Sequence, residues 1–262
     1  MRGNLALITG ATSGIGLAIA EQLAKSGYDL LLIGRREERL KAISARCSEE
    51  SKIEAGYVVL DIGDRAAVEK IFGTQNSLLE RLAVVVNCAG LARGTEPMQT
   101  ADLDHWDEML DTNVKGLLYI TRICLPHLIK NRVKVGTGHI VNIGSVAGRW
   151  TYPGGGVYCA TKFAVRALSE GLRLDLMGTG IRVTNIEPGM VETEFSEVRF
   201  GGDKAKAKQV YQGMTALKPN DVAEAILWCL MRPTHVNIQE LVIFPTDQAG
   251  VGFVHREKPR EN

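Results

Sequence analysis

Short apolar runs alternate with stretches of helical periodicity along the whole chain. Residues 4–9 (NLALIT) form one such run, and residues 17–25 then carry apolar positions at helical spacing. Residues 28–33 (YDLLLI) predict a second strand, and 36–47 a charged helix. Further strands are expected at 53–60, 83–87, 139–143, 181–186 and 241–244. Helices are expected over 65–72, 103–130, 158–177 and 220–231. Continuous apolar strands are buried on both faces. Strands separated by helices pair in parallel through right-handed crossovers. The pattern therefore predicts an α/β fold, one doubly wound parallel sheet of Rossmann type, as a single domain over 1–262. One long stretch, 188–202 (PGMVETEFSEVRFGG), shows neither periodicity and has the length of a lid or binding loop. We take 188–218 as a substrate lid within the domain. The turn 131–138 is expected on the surface away from chemistry, and the polar tail 255–262 is expected to be mobile unless a partner holds it.

Composition narrows the picture by exclusion. The 262 residues are 45% hydrophobic and 23% charged, which is the balance of a globular protein rather than a disordered one. Lys plus Arg number 31 and Asp plus Glu 30, so the basic excess of a nucleic-acid or anionic-membrane binder is missing. No apolar run approaches the roughly 18 residues of a membrane span, and MRGNLALITG runs directly into a strand without a signal layout. A cytoplasmic protein with no membrane and no nucleic-acid partner is expected. Cys47, Cys88, Cys124, Cys159 and Cys229 are odd in number and form no CxxC pair, so they read as small buried hydrophobes. The five histidines lack ligand spacing, and no metal is expected.

The first strand leads into Thr9-Gly10-Ala11-Thr12-Ser13-Gly14-Ile15-Gly16, and a helix follows. Glycines permit a sharp turn and the close approach of a pyrophosphate to main-chain N–H groups. The helix start adds free donors and partial positive charge. The P-loop lysine is missing. After strand two, an acid would hold the ribose 2′-hydroxyl of NAD. Here Arg35 and Arg36 stand instead, and paired guanidiniums suit the 2′-phosphate of NADP. Asp61 and Ile62 are placed to meet the adenine. Asn87, Ala89 and Gly90 end strand four, at the carboxyl edge where open sheets bind ligands.

Tyr158 and Lys162 lie four apart at a helix start and so share a face. Free tyrosine titrates near 10, and a nearby ammonium together with a cationic nicotinamide lowers that value. Ser145 follows strand five, where its hydroxyl can hold a substrate oxygen.

These segments resemble the short-chain dehydrogenase/reductase family over nearly the whole chain. The resemblance rests on TGATSGIG, NCAG, Asn113, Ser145, YCATK and the 188–193 turn. It implies a Ser145, Tyr158, Lys162 triad, with Asn113 supporting a proton-relay water. In that scheme Tyr158 is the general acid/base, and Lys162 lowers its pKa and holds the nicotinamide ribose. Ser145 orients the reacting oxygen, and Pro188, Gly189, Val191 and Thr193 join the cofactor site. Cys88 departs from the family pattern, which has Asn there. A homotetramer packed through 103–130 and 158–177 is also implied.

A narrower resemblance, to NADP-dependent 3-hydroxy acid dehydrogenases of the serine and allo-threonine type, rests on further segments. They are GRREERL, LDTNVKGL, GHIVNIGSVAG, YPGGGVY, IEPGMVETEFSEVRF, HVNIQEL and VHRE. It implies reversible oxidation of a small 3-hydroxy acid to the 3-oxo acid. The substrate carboxylate calls for a cationic group, and Arg93, Arg149 and Arg199 are candidates. Arg199 is favoured, because a lid arginine couples binding to closure. Residues 150–154 (WTYPG) argue for a small pocket. The alternatives are an NADPH-dependent reductase of a bulkier ketone, sugar or acyl thioester, and a non-catalytic NADP-sensing protein. Against the last stands the presence of all four catalytic groups.

Overall fold

The computed structural model describes residues 3–74 and 76–257. Seven strands form one sheet: β1 (Leu5–Thr9), β2 (Asp29–Gly34), β3 (Ala55–Val59), β4 (Leu82–Asn87), β5 (His139–Ile143), β6 (Arg182–Pro188) and β7 (Glu240–Ile243). Their order is β3-β2-β1-β4-β5-β6-β7, and every neighbouring pair is parallel. This is the expected doubly wound α/β fold. The helices are α1 (Gly14–Lys25), α2 (Glu37–Ser51), α3 (Arg65–Thr74), α4 (Leu103–Leu110), α5 (Leu117–Val135), α6 (Gly156–Asp175), α7 (Phe195–Arg199), α8 (Lys204–Gln209) and α9 (Pro219–Leu230). Successive strand residues face opposite sides. Accordingly Ala6, Ile8, Leu30 and Leu32 join one core with residues of α1, α2 and α9. Leu7, Leu31, Ile33 and Val85 join another with residues of α3 and α5. The order reverses between β1 and β4, so their carboxyl ends open a crevice at the switch point of the sheet.

The structure departs from the sequence pattern in four places. β3 is an edge strand, so none of its residues is fully buried, and Val59 is exposed. The helix expected over 103–130 is interrupted by a π-helical turn at Asp111–Gly116 and then runs on to Val135. The supposed turn at 131–138 is thus mostly helix, ended by Gly136 at a φ of 73°. The segment after β6 is not irregular, since it holds α7, and α8 follows. A hairpin of β8 (Gln248–Gly250) and β9 (Phe253–Val254) closes the described chain. In the tail, His255 N–H donates to Asp247 O and Glu257 N–H to Gly213 O, so this part is tied down; residues 258–262 lie outside the described residues. Among the described residues no helix is long and apolar enough to cross a membrane.

Candidate active site

The turn after β1 has no room for side chains. Gly10 sits at a φ of 68°, and a Cβ there would lie 2.8 Å from Ala89 Cα. A Cβ on Gly16 would lie 2.3 Å from Gly10 O. Buried Thr9 ties the turn to the end of β4, its Oγ1 accepting from the N–H groups of Cys88 and Ala89 at 3.0 Å each. Ser13 stands in extended conformation as the cap of α1, whose first turn holds no acid. This cradle fits a pyrophosphate: bare backbone, free helix-start donors and no competing carboxylate.

A cleft of about 360 Å³ gathers most of the expected residues. Gly10, Thr12, Ser13, Gly14, Ile15, Gly16, Arg35, Arg36, Asp61, Ile62, Ala89, Gly90, Ser145, Tyr158, Lys162, Pro188, Gly189, Val191 and Thr193 all line it. Asn87, Asn113 and Arg199 do not. Asn87 turns its amide into the sheet, where Nδ2 donates to Thr121 Oγ1 and Asn142 Oδ1. At the adenosine end, Arg36 donates from Nε and Nη2 to Thr12 Oγ1 at 3.0 and 2.7 Å, and from Nη2 to Ser13 Oγ at 2.7 Å. Arg35 is more exposed and reaches Asp61 at 3.4 Å.

The catalytic candidates meet at the other end. Helix α6 buries Tyr158, Thr161, Lys162, Val165 and Ser169 along one stripe at helical spacing, with Cys159 buried beside it. Lys162 Nζ donates to Ile143 O at 2.8 Å and lies 5.9 Å from the Tyr158 ring centroid. Ser145 caps the short turn after β5, its Oγ accepting from Ala147 N–H. Asn113 sits in the π-helical turn; Nδ2 donates to Leu91 O and Thr161 Oγ1, and Oδ1 accepts from Leu91 N–H. Its amide thus pins the loop after β4 to α6.

Burial works against charge on both Tyr158 and Lys162. It holds the Tyr158 phenol above its ordinary value, with Tyr152 adding to the rise and Ser145 and Arg199 opposing it. Burial also depresses Lys162 to about 8. The lowering expected from Lys162 together with a cationic nicotinamide has this desolvation to overcome. Burial pushes the Cys88 thiol up to about 12, so it lines the cleft as a neutral group.

Two of the three substrate arginines are already neutralised. Arg93 forks onto Glu108 through Nε and Nη2, at 2.6 and 3.0 Å. Arg149 pairs with Glu187 and Glu240. Arg199 has no carboxylate partner among the described residues; Nε donates to Gly94 O and Nη1 to the Tyr152 hydroxyl. A second cavity, of about 540 Å³, shares Tyr158 and is walled by Met98, Trp106, Met109 and Tyr152. Residues 151–154, expected to narrow the pocket, line this larger space. Sequence reasoning also missed Glu194, which lines the cleft, and Phe195, whose ring stands 5.6 Å from that of Tyr158. Their place in the 188–202 stretch, read as a lid or binding loop, was the available signal.

The family model described as short chain dehydrogenase matches residues 4–202. The NADP-dependent 3-hydroxy acid dehydrogenase YdfG of Salmonella typhi is 46% identical, over 96% of this chain and 99% of its own. Sulfoacetaldehyde reductase 2 of Chromohalobacter salexigens is 45% identical, over 95% and 97%. A solved structure, the closed form of serine dehydrogenase complexed with NADP+, superimposes with a TM-score of 0.86 at 44% identity, over 97% and 100%.

Proposed function

The chain belongs to the short chain dehydrogenase family, and on that premise we propose that it is an NADP-dependent oxidoreductase acting on a small 3-hydroxy acid. The reaction is 3-hydroxy acid plus NADP+ giving 3-oxo acid, NADPH and a proton, and it is reversible. The observation that carries this reading is the placement of Ser145, Tyr158 and Lys162 at one end of a glycine-lined cleft whose other end presents Arg35 and Arg36.

The nicotinamide, when bound, supplies the hydride acceptor or donor. This chain's residues do the rest. Tyr158 Oη takes the hydroxyl proton during oxidation and returns it during reduction. Ser145 Oγ donates a hydrogen bond to the same substrate oxygen and fixes its direction. Lys162, anchored by Ile143 O, holds the nicotinamide ribose, and its charge favours the phenolate once the site is filled. Asn113 supports the relay of protons to solvent. Arg199 meets the substrate's acid group with the donors that Gly94 and Tyr152 leave free. The segment 188–218 serves as the lid that carries Arg199. A carboxylate and a sulfonate offer a guanidinium similar oxygens, so both belong in a substrate trial.

NADPH absorbance followed across serine, allo-threonine, 3-hydroxypropanoate and isethionate tests the reading. Turnover of none of these acids, beside turnover of a larger ketone, rejects it in favour of the second reading. That second reading, a bulkier ketone or acyl thioester as substrate, is favoured by the 540 Å³ cavity beside Tyr158.

We also read the chain as a cytoplasmic homotetramer. Leu103 on α4, Leu118 on α5, and Phe163 and Leu174 on α6 expose apolar side chains on the helices expected to pack between subunits. Light scattering of the purified chain decides the oligomeric state.

A further inference from the structure

The nucleotide cleft already holds an anion of the protein's own. Glu194, immediately before α7, places one carboxylate oxygen 2.8 Å from Arg36 Nη1 and the other 2.7 Å from Arg39 Nη1. The far side of Arg36 is fixed on Thr12 and Ser13. Arg39 follows Arg36 by three residues at the start of α2, so the two guanidiniums converge on one point. Cations are unfavourable at a helix start; Glu37 and Glu38 stand in the same first turn, yet the carboxylate that bridges the two guanidiniums is brought in from a distant segment.

We propose that Glu194 is a resident counter-ion occupying the 2′-phosphate site, that the phosphate of NADP(H) displaces it, and that Arg39 then joins Arg36 as a phosphate ligand. This rests on the NADP reading above. A phosphate monoester carries about −1.5 to −2 charge near neutrality and three acceptor oxygens, whereas Glu194 offers one charge and two oxygens. Two guanidiniums in fork geometry favour the former. The Glu194 side chain is 40% exposed, and exposed ion pairs hold weakly, so the carboxylate exchanges into water readily. It therefore opposes only nucleotides that bear the 2′-phosphate and leaves those without it untouched. The displacement also reaches the catalytic end, because the next residue, Phe195, packs on Tyr158.

Calorimetric titration of the full chain with adenosine 2′,5′-bisphosphate and with 5′-AMP tests this. Glu194→Gln is expected to tighten the bisphosphate about threefold to tenfold and to leave 5′-AMP unchanged. Arg39→Met is expected to weaken the bisphosphate about tenfold. A bisphosphate affinity that Glu194→Gln weakens or leaves alone, or that Arg39→Met leaves alone, overturns the proposal. Arg36→Met separates the two readings. If it abolishes the preference for the bisphosphate while the other variants are silent, only the counter-ion proposal fails. If the parent chain shows no such preference, the NADP reading fails with it.

Discussion

At the scale of single residues, the proposed acid/base is the Tyr158 hydroxyl. Burial raises its pKa and lowers that of Lys162, so burial favours the uncharged form of both groups. Removing the hydroxyl while keeping the ring isolates proton transfer. Tyr158→Phe is expected to lower kcat by about 10²–10⁴ and to leave NADPH affinity, read by fluorescence titration, near that of the parent. Turnover within about tenfold of the parent takes Tyr158 out of the proton-transfer role. Arg199→Met probes the other end of the substrate. It should raise KM for serine about tenfold or more, since a charge-assisted bond is lost, and an equal rise for an uncharged alcohol rejects Arg199 as the anion's partner. Placements that depend on near neighbours in the chain, such as Tyr158 and Lys162 on one face of α6, were legible. Asn87 and Arg149 were not, because what engages them comes from far along the chain: Asn142 for Asn87, and Glu240 for Arg149; the partner of Arg93, Glu108, is nearer but sits on a separate element, α4. A lone arginine near a cleft reads as free until its carboxylate is located.

At the scale of elements, glycine spacing marks the turn between β1 and α1, and packing says which glycine is indispensable. A Cβ at position 16 meets the Gly10 carbonyl oxygen at 2.3 Å, and backbone cannot rotate aside. Gly16→Ala is expected to destabilise the fold by about 1–3 kcal/mol, as overpacking does, and to weaken NADPH binding. Gly171, inside α6, is the counter-example: a Cβ there meets nothing within 4 Å. Gly171→Ala should stabilise by up to about 1 kcal/mol. Urea melts with and without NADPH read both, and a Gly16→Ala chain as stable and as tight-binding as Gly171→Ala would show that the turn has slack. The break between α4 and α5 was hidden from periodicity because its cause is tertiary. Gly116 packs where a Cβ would come within 2.6 Å of Ile62 Cγ1, and Asn113 is drawn to Leu91 and Thr161. The segment after β6 hid α7 and α8 for a different reason: helices of five and six residues are too short to display a period.

At the scale of the whole molecule, the two ends of the sheet do different work. The carboxyl ends of β1 to β6 carry the cleft, and the opposite end carries buried charge. Arg182, at the start of β6, is buried and donates to the carbonyls of Leu230 and Arg232. His139 pairs with it in register at the start of β5. Its Nε2 meets Thr184 Oγ1 at 2.7 Å, and its Nδ1 has no partner among the described residues. Burial, with Arg182 adding to it, depresses His139 to about 3. The unfolded chain takes up this proton near pH 6.5 and the folded chain does not, so stability is complete above that value and falls as pH drops. Between pH 7 and pH 5 this one site should remove about 2 kcal/mol. Urea melts of the parent and His139→Gln at a fixed protein concentration measure it, since subunit association otherwise shifts the midpoint. The variant should be the less stable at pH 7, where a buried hydrogen bond is lost, and its deficit should shrink by about 2 kcal/mol on reaching pH 5. A deficit of constant size across that range would place the acid sensitivity of the fold elsewhere than the paired starts of β5 and β6.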